Sequence, residues 1–150
     1  MITVNEPTWD DLLYVGSWIC PADREELAQT RDPDDYEKLA HDAWESPYKR
    51  VVLADAVPVM CFGAKLLDPS TAIVWGFKTP RAVPALRAAT KHILRVMIPT
   101  LRAGGVRSAM CLVHPANIVS QRWLSHLGFD LRATLPEIGT GLLLFRRDDP

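Results

Sequence analysis

The chain has 150 residues, 48% of them hydrophobic and 23% charged, with a net charge of −1. That length suits one domain, which buries roughly 70% of its unfolded surface and needs no metal or disulfide to hold it. The composition excludes a disordered chain, and no apolar run approaches the ~20 residues of a membrane span. Near-neutrality hides a polarity: residues 1–50 carry −7 and residues 51–150 carry +6. This argues against a generic nucleic-acid binder and leaves room for a local anion site in the second part.

Met1–Val4 reads as a first strand, and the opening Met1-Ile2-Thr3-Val4-Asn5-Glu6 lacks the basic and apolar parts of a secretion signal. Thr8 is a helix cap with Asp11 three residues on, and Leu12, Leu13, Val15 and Trp18 form a core stripe to about Ile19. A second helix runs from Pro21 to about Gln29, with Asp23, Glu25 and Glu26 near its positive end. Asp32-Pro33-Asp34-Asp35 starts a third, whose Tyr36, Leu39, Ala40, Ala43 and Trp44 recur at three and four until Ser46-Pro47.

The period then changes. Arg50–Ala54 and Val57–Ala64 are strands joined by a tight Asp55-Ala56 turn, and Thr71–Phe77 is a third strand after Asp68-Pro69-Ser70. A long helix follows, roughly Arg81 to Ala103, with Leu86, Ile93, Leu94, Met97, Ile98 and Leu101 on one face. Pro99 should kink it, and Gly104-Gly105 ends it. Val106–Val113 is a central strand. Asn117 caps a helix to Leu127 that turns Val119, Trp123 and Leu127 inward and ends at Gly128. Phe129–Leu135 and Gly141–Arg147 are the last strands, with Pro136–Thr140 as their turn and a polar Asp148-Asp149-Pro150 tail. The order β-α-α-α-β-β-β-α-β-α-β-β predicts an α/β (α+β) fold: a mixed sheet with helices on both faces and a parallel crossover from Thr71 to Val113.

Cys20, Cys61 and Cys111 are odd in number with no CxxC spacing, which points to a reducing compartment. Cys61 and Cys111 sit in apolar runs as small hydrophobes. His41, His92 and His126 show no ligand spacing, so no metal site is expected. The five tryptophans, Trp9, Trp18, Trp44, Trp75 and Trp123, fall mostly on predicted buried faces. His114 lies in a loop after the central strand, and an imidazole is a side chain suited to act as a base.

This order, with the segment Asn117-Ile118-Val119-Ser120-Gln121-Arg122-Trp123-Leu124-Ser125-His126-Leu127-Gly128-Phe129, resembles the GNAT superfamily of acetyl-CoA-dependent N-acetyltransferases. In that family a helix opens with Asn and ends in Gly-Phe, as Asn117, Gly128 and Phe129 do here. The resemblance implies a GNAT-like mixed, mostly antiparallel twisted sheet flanked by helices, with acetyl-CoA as the ligand. It implies cofactor contacts from Gly76, Phe77, Thr79, Arg81, Arg87 and Asn117, with His114 and Asn117 as catalytic candidates. The three leading helices would flank the acceptor cleft, and the start of the long helix would face the phosphates.

Two departures bear on activity. The family's Arg/Gln-x-x-Gly-x-Gly/Ala turn, whose N–H groups close on a pyrophosphate, is replaced by Phe77-Lys78-Thr79-Pro80-Arg81-Ala82-Val83-Pro84-Ala85-Leu86, which has no glycine and two prolines. The family's proton-donating Tyr is Leu124 here, and the neighbouring Trp123 indole is no acid near neutral pH. A base is often a Glu on the central strands, but between Val51 and Phe77 the acids are Asp55 and Asp68, both in turns.

A narrower resemblance is to small GNAT-like and internal virion proteins of short-tailed bacteriophages. It rests on Pro21-Ala22-Asp23-Arg24-Glu25-Glu26, Ala43-Trp44-Glu45-Ser46, Ala54-Asp55-Ala56-Val57-Pro58-Val59, Ile73-Val74-Trp75-Gly76 and Arg122–Phe129. It implies a virion or host-interaction component with weak or absent acetyl transfer, found in the host cytoplasm or the particle, with virion or host proteins as partners. The alternative expectation is an active N-acetyltransferase on a host protein or small amine.

Overall fold

A computed structural model describes residues 1–134 and 142–148. The expected turn at Pro136–Thr140, the strand ends at Leu135 and Gly141, and the tail at Asp149-Pro150 lie outside the described residues.

Seven strands form one sheet in the order β1-β2-β3-β4-β5-β7-β6. They are β1 (Ile2–Asn5), β2 (Tyr48–Ala54), β3 (Val57–Asp68), β4 (Thr71–Lys78), β5 (Ser108–Val113), β6 (Asp130–Thr134) and β7 (Leu143–Asp148). β4 and β5 run parallel and the other neighbouring pairs antiparallel. This is the mixed, mostly antiparallel sheet expected from the sequence. Strand alternation serves both faces: Val52, Met60 and Phe62 belong to one apolar cluster, while their neighbours Val51 and Cys61 belong to the other.

Helices α1 (Trp9–Ser17), α2 (Pro21–Leu27) and α3 (Tyr36–Trp44) precede β2. α1 and α3 cover the Cys61 face with Leu12, Val15, Leu39, Ala40 and Ala43. Gly16 lets them approach closely, since a Cβ there would sit 3.3 Å from Cβ of Tyr36. The predicted Thr8 cap is a full capping box: Oγ1 of Thr8 accepts from Asp11 N at 3.1 Å, and Oδ2 of Asp11 accepts from Thr8 N at 2.9 Å.

The opposite face carries α4 (Leu86–His92), α5 (Ile98–Ala103) and α6 (Ile118–His126). The long helix is less regular than its sequence suggests. It opens on a 3-10 turn at Val83–Ala85, and α4 joins α5 through a π-helical stretch, Ile93–Met97. Pro99 accounts for this: it lacks an N–H, and its ring would strike the carbonyl four residues back, so the turn before it widens.

Several inward-face expectations are corrected. Trp18 is 63% exposed and Trp44 43%. Trp18 is the C-cap of α1, where φ −114° and ψ 26° leave the helical path, and Trp44 lies at the margin of the α3 stripe, against the edge of Trp9. Val119 is 55% exposed, because the inward stripe of α6 runs through Leu124 to Leu127. Leu94 also faces outward, since the π stretch shifts the phase of the helix around it.

Candidate functional site

β4 and β5 pair only at Thr71–Ile73 with Ser108–Met110. Beyond that point they diverge, and a gap opens in the middle of the sheet. Two chambers meet there. One holds about 610 Å³ of atom-free space out to its mouth and lies toward α4 and α6. The other, about 1110 Å³, lies toward α2 and α3. Glu26, Val74, Trp75, Gly76, Phe77 and Cys111 line both.

The β4 edge of this gap carries backbone polar groups. Lys78 turns its N–H to Asp23 Oδ2 at 3.0 Å and its carbonyl to Cys20 N at 2.8 Å, away from β3. Two residues back along the strand, Gly76 turns its N–H and carbonyl the same way, into the gap. An N–H there is placed to polarise a carbonyl.

At the open end of the gap lies a buried polar network. Asp23 is 3% exposed. It receives Lys78 Nζ at 3.0 Å and Asn117 Nδ2 at 3.1 Å in addition to Lys78 N. One turn on, Glu26 Oε1 receives the His114 N–H at 2.6 Å and Asn117 Nδ2 at 3.4 Å. Glu26 Oε2 has no donor among the described residues. Burial pushes the Glu26 carboxyl up to about 7, helped by the nearby Asp23 charge and opposed by the bond from His114 and the Asn117 and Lys78 groups. A carboxylate poised near neutrality, with a free oxygen at the meeting of two chambers, is suited to accept a proton.

The residues singled out from the sequence take several places. Asn117 is 2% exposed. Its Oδ1 caps α6 by accepting from Ser120 N at 3.3 Å, and its Nδ2 serves Asp23 and Glu26. His114 reaches the site through its backbone; its ring Nδ1 accepts from Ala116 N at 3.1 Å, and the residue lines neither chamber. Gly76 and Phe77 line both chambers. Thr79 is buried, and its Oγ1 accepts from Arg81 N at 3.2 Å. Arg81 and Arg87 are exposed, with no carboxylate partner among the described residues.

The turn between β4 and α4 lacks the donors of a phosphate cradle. The N–H groups of Thr79, Arg81, Ala82, Ala85 and Leu86 all donate within the turn or to Val59, Pro80 and Pro84 have none, and that leaves the single N–H of Val83 without an acceptor among the described residues. A ligand carrying a diphosphate would therefore meet Arg81 and Arg87 here rather than a nest of amides, while the gap itself fits a narrow arm and a reactive carbonyl. Leu124 lines the α4/α6 chamber with no proton to give. One turn earlier on the same helix, Ser120 lines it as well.

Asp23 and Glu26 escaped the sequence reading because their helix lies about ninety residues from Asn117. The signal that was present is their i, i+3 spacing, which puts both carboxylates on one helix face.

No protein-family model and no curated protein matches the sequence. Solved structures do match in three dimensions. Ard1 from Thermoplasma volcanium superposes with a TM-score of 0.72 at 16% identity, over 99% of this chain and 98% of that one. PaiA N-acetyltransferase from Thermoplasma acidophilum, in complex with coenzyme A, gives 0.66 at 12% identity, over 99% of each chain. A GNAT-family acetyltransferase from Streptococcus pneumoniae gives 0.64 at 10% identity, over 100% of both chains. Nothing in these comparisons points to a virion protein. The strand order, the parted central strands and these superpositions together establish that the chain has the fold of the GNAT acetyltransferases.

Proposed function

We propose that the protein is an acyl-CoA-dependent N-acyltransferase that acts on a primary amine, of a small molecule or of a host protein. The observation that carries this reading is Glu26, a carboxylate raised to about 7 where the two chambers of the parted sheet meet. The thioester arm enters the gap from the α4/α6 side, and the amine arrives from the α2/α3 side.

Glu26 takes a proton from the incoming ammonium through its free oxygen. The amine nitrogen then forms a bond to the thioester carbonyl carbon. The Gly76 N–H stabilises the negative charge on the carbonyl oxygen. The C–S bond breaks, the second amine proton is lost to solvent, and the thiolate takes its proton from water because Leu124 offers none. Arg81 and Arg87 meet the phosphates.

Calorimetry with acetyl-CoA tests the first half of this reading: heat of binding supports it, and no heat at millimolar ligand overturns it. With a panel of amines, Glu26→Gln is expected to lower transfer by about 100-fold. Wild-type turnover that survives the substitution overturns the role of Glu26.

A second reading is a phage virion or host-interaction component that keeps the scaffold without turnover. The Thr79–Leu86 turn, most of whose N–H groups are paired or missing, and the apolar Leu124 favour it. Mass spectrometry of purified particles tests it, and absence from the particles overturns the virion role.

A further inference from the structure

We propose that the protein associates head to tail with further copies of itself. The basic outer face of α4 and its π stretch in one copy meets the acidic, aromatic end of the α1/α3 layer in the next.

The two signs of charge lie on opposite faces of the sheet. α4, α5 and α6 come from residues 69–129, a stretch with no Asp or Glu. Arg87, Lys91 and Arg95 recur there every four residues. All three are exposed, and none has a carboxylate partner among the described residues. The other layer carries the exposed aromatic rings: Trp9, Tyr14, Trp18, Tyr36 and Trp44. Tyr14, Trp18 and Tyr36, at 39%, 63% and 41% exposure, belong to the end where Gly16 of α1 meets Tyr36 of α3. Asp34, Asp35 and Glu37 are exposed at that same end. Arg24, which pairs with Asp34, and Lys38 offset part of their charge.

A second copy fits because the chain holds both halves of the contact. The basic row lacks the acids and rings that would hold it, and the acidic end has both. Guanidinium groups stack on exposed Trp and Tyr rings, a carboxylate rim steers them there, and Trp, Tyr and Arg are the residues that carry most contact energy between proteins. The two patches face away from each other, so one partner cannot close both at once. The contact is therefore heterologous, and copies add in a row instead of closing into a two-fold dimer. Its charges are exposed, which makes the association weak and sensitive to salt.

The test is sedimentation of the full chain at about 0.5 mM, in about 20 mM salt and again in about 0.5 M salt. The weight-average mass is expected to reach about twice the monomer's in low salt and to return to the monomer's in high salt, where exposed charges act over only a few ångströms. A monomer in low salt overturns the proposal, and retention of that monomer on heparin assigns the basic row to a polyanion instead. Association that survives high salt also overturns it. Lys91→Glu with Arg95→Glu reverses the row, and Trp18→Ala with Glu37→Lys removes the patch. Each double variant alone is expected to be monomeric. An equimolar mixture of the two is expected to form a pair and nothing larger, because it restores one contact between an intact row and an intact patch. A mixture that stays monomeric while both variants keep the wild-type circular dichroism overturns the assignment to these faces, as does association within either variant alone.

Discussion

Glu26 owes its chemistry to burial rather than to its type. Its native pKa of about 7 lies above the ordinary 4.5. The native state therefore holds a proton that the unfolded chain has released across that window. The stabilisation is full below about 4.5 and is lost as pH rises through about 7. At about 1.4 kcal/mol per pKa unit the loss is about 3 kcal/mol at most, before relaxation and water reduce it. Glu26→Gln removes the titration and keeps an acceptor for the His114 N–H. Denaturant unfolding at pH 8 should find this variant about 1–2 kcal/mol more stable than wild type, and at pH 4 the two nearly equal. A variant less stable at pH 8 contradicts the assigned cause. Transfer should rise with pH through about 7 as the carboxyl ionises. Gly63 is a second residue whose neighbours decide its importance. A Cβ there would run into the Tyr48 carbonyl oxygen and lie 2.5 Å from Cζ2 of Trp75. Gly63→Ala must push Trp75 off its stack on Phe77 and strain its bond to Ser46. A loss of about 3 kcal/mol in unfolding free energy is expected, with a change in tryptophan fluorescence.

At the scale of elements, local rules account for most boundaries. The Thr8–Asp11 capping box and the Asn117 cap of α6 stand where their residue types suggest. The Asp55-Ala56 turn is a hairpin in which both central residues have positive φ, 49° and 67°. Ala pays for that conformation with its Cβ, so Ala56→Gly should stabilise the protein by about 1 kcal/mol, seen as a higher thermal midpoint with unchanged α-helical circular dichroism. An unchanged or lower midpoint would show that the turn relaxes with alanine in place. The long helix was legible in extent but not in phase. Pro99 announces a disturbance, yet whether the chain kinks, stops or widens depends on what packs against it. Here Ile93 and Met97 must both reach the apolar core, and the π stretch brings them there. The tryptophans went astray for a related reason: a large apolar side chain at a helix end or stripe margin has no fixed facing until the neighbouring helix is placed.

For the whole molecule, the buried network ties α2 to the ends of β4 and β5 and so holds the gap at one width. Lys78→Met would leave the Asp23 carboxylate, 3% exposed, without its ammonium partner. Unfolding free energy should fall by about 3 kcal/mol, and the double variant with Asp23→Asn should recover a good part of it. Additive losses would mean the two groups act independently. The charge split acquires a place in this frame: α2 and α3, from the acidic third, wall the α2/α3 chamber through Glu26, Leu39 and Asp42. The turn that leads into the long helix of the basic part holds Arg81, with Arg87 in its first turn. No described helix is long and apolar enough to cross a membrane. Element order, caps, the mixed sheet and the missing glycine turn were all readable from the chain, because each depends on residues within about ten positions of one another. The parting of β4 from β5, the network joining Asp23, Lys78 and Asn117, and the raised Glu26 were decided only by the tertiary structure. Each depends on desolvation and on partners far apart in sequence, which residue order does not encode locally.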